Sequence, residues 1–175
     1  MQYLPLFKCV SLLQSKTIDK LPIVTLKTDK GNINIELYPE CAPLTVENFL
    51  KLVDSGFYNG LVFHRYVKGF VIQGGDPDGN GTGGPGWTIP GEFQDKALKD
   101  KMPKHEKGVI AMARKQTPNS AGSQFYICIN DDTNGYTHLD GNYTTFGRVV
   151  EGIDIVDNLR EGDKMLDVTT NIDEE

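Results

Sequence analysis

One cation and one amide stand out in an apolar, strand-forming stretch between Phe63 and Asp76, which reads Phe-His-Arg-Tyr-Val-Lys-Gly-Phe-Val-Ile-Gln-Gly-Gly-Asp. Burying Arg65 and Gln73 in a core would be costly, because buried polar groups need hydrogen-bond partners. If both side chains instead line an exposed groove, they place hydrogen-bond donors on the wall of an apolar pocket. We therefore interpret this segment as one wall of a binding groove.

The segment from Ser123 to Ile129 has a related pattern. Successive residues of an extended strand point to opposite faces. One face would carry the apolar residues Phe125, Ile127 and Ile129, which can seal a barrel interior. The other would carry Gln124, Tyr126 and Cys128. An ordinary polar outer face is the alternative for Gln124 and Tyr126, but a second amide–aromatic face in a chain that already has Arg65 favours a groove.

Other chemistries have weaker signatures. Asp76–Gly81 matches the first half of a calcium-binding loop, but Trp87 occupies the twelfth position, where a bidentate Glu is required. Ser123 does not lie in the Gly-x-Ser-x-Gly turn of a hydrolase. We expect no metal, no cofactor and no nucleophile–base pair.

Composition indicates a single globular domain. The chain has 175 residues, of which 38% are hydrophobic and 24% charged, with a net charge of −6. An acidic chain without a basic cluster gives little support to nucleic-acid binding. No window approaches the roughly 20 apolar residues of a membrane span, so we expect no membrane association. The sequence has no signal for an oligomer, and a monomer is the default expectation.

Three scattered cysteines, without a Cys-x-x-Cys pair, predict free thiols rather than a disulfide or zinc framework. Residues 1–22 form an N-terminal extension, loosely ordered or helical; a signal peptide is the alternative, although Pro5 and Lys8 interrupt its apolar part. These observations favour a cytoplasmic protein over a secreted or periplasmic one. The last residues, 171–175, form an acidic tail.

Periodicity predicts mostly strands between these ends. A hairpin is expected over 23–37, with strands near 61–67, 70–73, 109–113, 124–129 and 144–150. Helical spacing is limited to 43–55, ending at Gly56, and to 152–160. Many short strands with two helices predict an antiparallel barrel or sandwich.

Several separated motifs occur together in the order and approximate spacing found in cyclophilins. The motifs are Phe63-His64-Arg65, Gly69-Phe70, Gln73-Gly74-Gly75-Asp76, Gly81-Thr82-Gly83, Met112-Ala113, Gly122-Ser123-Gln124-Phe125 and Leu139-Asp140-Gly141. Over about residues 23–169 the chain resembles a cyclophilin-type peptidyl-prolyl cis-trans isomerase. The resemblance implies a mainly β domain at 23–170, built as an eight-stranded antiparallel closed β-barrel capped by two α-helices.

The resemblance also implies a site. Arg65 and Gln73 correspond to catalytic positions, and the substrate-binding positions are Phe70, Val71, Gly81, Thr82, Ala113, Arg114, Gln124, Tyr126, His138, Leu139 and Tyr143. The expected partners are proline-containing peptides and client proteins whose folding is assisted. A non-catalytic proline-peptide-binding module on the same scaffold is the alternative function.

Some positions depart from the family pattern. Val71 stands where many members have Met, Tyr126 where Phe is usual, and Tyr143 where His is common. His138 replaces the tryptophan of cyclosporin-sensitive members. Because the arginine and glutamines are intact, the resemblance implies isomerase activity with only weak cyclosporin binding.

Overall fold

The computed structural model describes residues 20–172, so the interpretation of residues 1–19 and of the last three acidic residues lies outside it. Eight strands are present: β1 (Ile23–Thr28), β2 (Gly31–Leu37), β3 (Arg65–Val67), β4 (Val71–Gly74), β5 (Val109–Met112), β6 (Phe125–Cys128), β7 (Thr145–Glu151) and β8 (Met165–Thr170). The helices in this part of the chain are α1 (Pro43–Asp54), α2 (Lys96–Lys99) and α3 (Ile153–Asn158), with 3-10 turns at Glu92–Gln94 and Thr133–Tyr136.

The strands form one antiparallel sheet in the order β3-β4-β6-β5-β7-β2-β1-β8, which confirms the mainly β, eight-stranded prediction. The prediction that the barrel is closed was an overstatement. The end strands β3 and β8 share no ladder. The segments just before them are joined instead by an isolated bridge between Val62 and Lys164, with Phe63 N–H donating to the Asp163 carbonyl at 2.8 Å. At this seam β3 begins only at Arg65, so that it is shorter than the predicted 61–67.

The interior of the curled sheet holds the main core. Inward residues alternate along β1 and β2, with Val24, Leu26, Ile33, Ile35 and Leu37 fully buried, as the hairpin pattern predicted. Four aromatic rings pack together in the middle, with the ring of Phe49 5.1 Å from Tyr58, 5.6 Å from Phe125 and 5.2 Å from Phe146. This core gives β4 and β6 a rigid inner support.

Helix α1 matches the predicted 43–55 segment. Its apolar stripe of Val46, Phe49, Leu52 and Val53 is buried in the core. Ala42 at the N-cap offers no side-chain acceptor, and the free N–H groups are satisfied from a distant loop instead. The buried Glu92 accepts from Thr45 N–H at 2.7 Å, from the Thr45 hydroxyl at 2.7 Å and from Leu44 N–H at 3.2 Å.

The other helices are short. Helix α3 lies inside the predicted 152–160 segment and packs against β2. Helix α2 was not predicted; Asp95 caps it by accepting from the backbone N–H groups of Ala97 and Leu98 at 2.9 and 3.2 Å. None of the helices in residues 20–172 has the length and apolar character needed to cross a bilayer.

A second, smaller apolar cluster covers the outer face of the sheet. It contains Val71, Ala111, Tyr126, Cys128, Tyr136 and Leu139, with Phe70, Ala113 and Tyr143 packed against it. The predicted division of β6 is therefore confirmed, since Phe125 and Ile127 enter the main core and Tyr126 and Cys128 the outer cluster. Burial raises the pKa of Cys128 to about 12, so its thiol behaves as a small apolar group.

Candidate active site

A cavity of about 310 Å³ opens on this outer cluster. Its lining consists of Arg65, Phe70, Val71, Gln73, Ala113, Arg114, Tyr126, His138, Leu139 and Tyr143. The floor is apolar and rigid because Val71, Tyr126 and Leu139 are 2%, 5% and 8% exposed. The guanidinium of the exposed Arg65 lies at its edge.

Strands β3 and β4 place Arg65 beside Gln73. The two residues are directly paired in the antiparallel register, and Arg65 Nη1 donates to Gln73 Oε1 at 3.1 Å. Gln73 is in turn paired with Tyr126 on β6. The sheet register therefore brings the cation, the amide and the aromatic floor into one row.

The hydrogen bonds at this site form a directed series. Gln124 Nε2 donates to the carbonyls of Gly83 and Gly81 at 2.9 and 3.1 Å, and Gln73 Nε2 donates to Gln124 Oε1 at 3.0 Å. Carbonyls only accept, so they fix the orientation of both amides and leave Gln73 Oε1 as an acceptor. Arginine has donors only and suits the end of the series, and Arg65 itself lines the cavity.

The loop beyond β4 supplies these carbonyls and is organised by Asp76. This buried carboxylate accepts from the backbone N–H groups of Asp78 at 2.8 Å, Asn80 at 3.0 Å and Gly81. Burial acts to raise the pKa of Asp76, but the backbone donors outweigh it and the pKa is lowered. Within the described residues no cluster of three or more His, Cys, Asp or Glu side chains is arranged to hold a metal ion.

Arg114 closes the opposite wall. Its guanidinium donates to the carbonyls of Asn142 at 2.8 Å, Lys115 at 2.9 Å and Gln116 at 3.0 Å. It also lies 4.6 Å from the ring centre of Tyr143. Because its donors are used internally, Arg114 acts as a rigid wall, whereas Arg65 has donors to offer a ligand.

Comparison with known proteins identifies the family. Residues 23–173 match the family model for cyclophilin type peptidyl-prolyl cis-trans isomerases. The chain belongs to the cyclophilins. A peptidyl-prolyl cis-trans isomerase of Helicobacter pylori is 42% identical over 153 residues, covering 86% of this chain and 88% of the relative, and one of Synechococcus elongatus is 45% identical over 145 residues, covering 82% and 92%.

A solved cyclophilin structure also matches. The Cryptosporidium parvum cyclophilin type peptidyl-prolyl cis-trans isomerase, crystallised in the presence of the dipeptide Ala-Pro, aligns with a TM-score of 0.73 and 29% identity, covering 86% of this chain and 99% of that one. The sequence-based assignment to the family is thus confirmed, and the activity of this chain is isomerisation about X-Pro peptide bonds.

Ten of the thirteen site residues expected from the cyclophilin resemblance line this one cavity. The other three, Gly81, Thr82 and Gln124, line an adjoining hollow that shares Gln73, Ala113 and Arg114 with it. Gln73 links Arg65 to Gln124, since it accepts from Arg65 and donates to Gln124.

Sequence reasoning missed the residues behind the cyclophilin groove. His105, Tyr136 and Asp140 support the floor: the Tyr136 ring stacks on Phe70 at 5.5 Å, and His105 hydrogen-bonds to both Tyr126 and Asp140. Asp140 belonged to a recognised motif, but His105 was one of three scattered histidines and gave no signal.

Proposed function

We propose that this chain accelerates X-Pro rotation with Arg65 as the catalytic donor, Gln73 as its support and the adjoining cavity as the proline-binding groove. The directed series from the Gly81 and Gly83 carbonyls to Arg65 is the observation that carries the proposal most strongly. It orients a permanent cation toward an apolar slot.

The chemistry requires stabilisation of a twisted amide. Resonance sets a rotation barrier of roughly 18–20 kcal/mol, and no covalent bond has to break. As the bond twists, the prolyl nitrogen regains a lone pair that can accept a hydrogen bond. A donor aimed at that position acts only in the twisted state, which is the differential binding that lowers a barrier.

Arginine suits this role because it is protonated at every working pH and offers five donors in a rigid fork. Gln73 accepts from Nη1 and so orients the fork. We assign the proline ring to the apolar floor, formed by Phe70, Val71, Ala113, Tyr126, Leu139 and Tyr143, with the exposed His138 at its rim. Gly81, Thr82, Arg114 and Gln124 border the neighbouring residues of the peptide.

The size and chemistry of the cavity support proline-containing peptides as substrates. A volume of about 310 Å³ is near the lower end of ligand pockets and suits one ring with its flanking peptide units. The similarity to a structure crystallised in the presence of Ala-Pro supports the same substrate class. We extend the proposal to client proteins whose folding is limited by proline isomerisation.

Exchange spectroscopy on a short X-Pro peptide tests the catalytic assignment. Arg65→Ala should lower the enzyme-dependent cis–trans rate about 100-fold or more, the typical effect of losing a transition-state donor. Arg160→Ala is a matched control, since Arg160 packs on the ring of Tyr66 at 4.7 Å, outside the groove lining. A folded Arg65→Ala variant with undiminished exchange would refute the assignment.

The same experiment separates catalysis from binding alone. A non-catalytic module would shift or broaden the peptide signals without raising the rate of exchange between cis and trans forms. A donor at the twisting nitrogen serves no purpose in pure binding, so the position of Arg65 favours catalysis.

We also propose that the protein is a monomer and that it resides in the cytoplasm, where its thiols stay reduced. Cys41 and Cys128 are buried and do not pair with each other within residues 20–172. Intact mass of protein isolated from its natural source checks this, because a secreted or exported form would lack N-terminal residues.

A further inference from the structure

Three side chains form a hydrogen-bonded series behind the groove floor. His105, which is 1% exposed, has Nδ1 2.8 Å from Asp140 Oδ1 and Nε2 2.7 Å from the hydroxyl of Tyr126. Of these three residues, only Tyr126 also lines the cavity. The series therefore ends at a ring that faces the ligand.

The donor and acceptor capacities of the three side chains determine their protonation states. The Asp140 carboxylate can only accept, so Nδ1–H of His105 donates to it. Nε2 is then the unprotonated nitrogen and accepts from the Tyr126 hydroxyl, which burial keeps protonated by raising its pKa well above the usual value. A neutral imidazole in this one tautomer satisfies both partners.

The series joins three separate parts of the fold. Asp140 Oδ1 also accepts from the backbone N–H of His105 at 2.7 Å, and Asp140 directly follows the groove residue Leu139. The His105 and Tyr126 rings lie nearly parallel at 5.8 Å and 13°. On its other side Tyr126 meets Tyr143 edge-on at 6.0 Å.

We propose that His105 is a positioning residue that anchors the Tyr126 ring through its hydroxyl and so shapes the proline-binding floor, with Asp140 fixing the imidazole. The inference depends on the proposed function, because it takes this cavity as the proline site. His105 touches no substrate atom. Its loss should weaken peptide binding and leave the Arg65–Gln73 pair unchanged, which is a change in KM at constant kcat.

The series also predicts a pH effect on binding. Burial lowers the pKa of His105, although the hydrogen bond that its imidazole donates to Asp140 opposes this. Below that pKa, Nε2–H would become a donor and the Tyr126 hydroxyl would lose its acceptor. The titratable and charged groups around the ring are Asp140, His138, Tyr126, Tyr136, Lys99, Asp100, Lys104 and Tyr143.

Tyr126→Phe tests the proposal because it removes the hydroxyl and keeps the ring. KM for a short X-Pro peptide at pH 7.5 should rise about two- to tenfold, the worth of one hydrogen bond, with kcat unchanged. The acid-side rise in KM expected for the wild type should be absent in this variant. Tyr58→Phe is the matched control, since it deletes an equally buried hydroxyl bond, 2.9 Å to the Ser123 carbonyl, outside the groove lining.

A double-mutant cycle with His105→Gln completes the test. If the hydroxyl acts through His105, the rise in KM of the double variant is smaller than the product of the two single effects. An unchanged KM in Tyr126→Phe, an equal rise in Tyr58→Phe, or multiplying effects would overturn the proposal. Arg65→Ala decides the proposed function separately: its loss of rate together with a normal Tyr126→Phe would reject only the role of His105.

Discussion

Arg65 and Gln73 stand directly opposite each other on neighbouring strands, and the guanidinium donates to the amide oxygen at 3.1 Å. This contact uses one of the five donors of a guanidinium that also lines the cavity. The acceptor is oriented by Gln124 and, through it, by two glycine carbonyls. The direction of the cation is thus set by backbone groups of a loop that Asp76 organises.

Removing links of this series should have graded effects. Gln73→Ala frees Arg65 directly and should lower kcat/KM about three- to tenfold, the effect of losing one positioning hydrogen bond. Gln124→Ala should cost less, because Gln73 still accepts from Arg65. Exchange spectroscopy on an X-Pro peptide measures both. A larger loss for Gln124→Ala than for Gln73→Ala would contradict the order of the series.

His138 should limit cyclosporin binding. Its imidazole stacks on Phe70 at 6.0 Å and 16°, at the rim of the cavity. A small polar ring there offers less apolar area than the tryptophan of sensitive cyclophilins. We expect weak inhibition of the wild type and at least tenfold tighter inhibition of His138→Trp, read as Ki in the isomerase assay. Nanomolar inhibition of the wild type would show that this position does not decide sensitivity.

Glu92 should stabilise the fold without affecting the chemistry. It satisfies three donors at the start of α1, where the chain has no local capping side chain. Glu92→Ala leaves those donors buried and should lower the free energy of unfolding by about 1–3 kcal/mol. Urea denaturation measures the change, with the exposed Glu47→Ala on the same helix as control. Equal stability of Glu92→Ala and wild type would be the contrary result.

Two histidines should make the protein less stable in mild acid. Burial lowers the pKa of His64 and of His105 below the ordinary value, although Asp76 opposes this at His64 and Asp140 at His105. Unfolded histidines titrate near about 6.5, so just below that pH the unfolded state binds more protons. The stabilisation is fully present above this pH and is lost as the pH falls.

Urea denaturation at pH 7.5 and 5.5 measures this loss, in a range where Asp76 stays ionised. The double variant His64→Gln/His105→Gln should depend less on pH than the wild type. If the double variant and the wild type lose stability equally between the two pH values, other titratable groups cause the loss. His64 should contribute because neither of its buried ring nitrogens has a hydrogen-bond partner in the described part of the chain. Burial therefore disfavours the charged imidazolium relative to the neutral ring.

The strand pattern and the groove face were predictable because they depend on local order. Alternation in β1 and β2 and the two faces of β6 follow from the period of an extended chain. The strand β8 was missed since its burial does not alternate: Met165 and Val168 are buried, with two exposed residues between them. The open seam could not be foreseen either, because β3 and β8 are about 100 residues apart in the chain and no local pattern records whether they pair.

The supports of the site were less predictable than its lining. His105 lies 35 residues from Asp140 and 21 residues from Tyr126, and only the folded sheet brings them together. The same holds for Glu92, which is 47 residues from Thr45. No short sequence motif indicates hydrogen bonds between residues that are so far apart in the chain. Arg114 was expected only as a substrate-binding residue, and the structure shows that its guanidinium donates to three backbone carbonyls.

The short β3 strand carries Arg65 at the open edge of the sheet, paired only with β4 along its ladder. Such an edge can detach by local opening while the core stays folded, unlike β6, which is fixed between β4 and β5. Amide hydrogen exchange should therefore be faster at Tyr66 than at Ile127. In the proposed mechanism, the catalytic cation is therefore attached to backbone that can open locally, whereas Tyr126 on the groove floor belongs to a strand held on both sides.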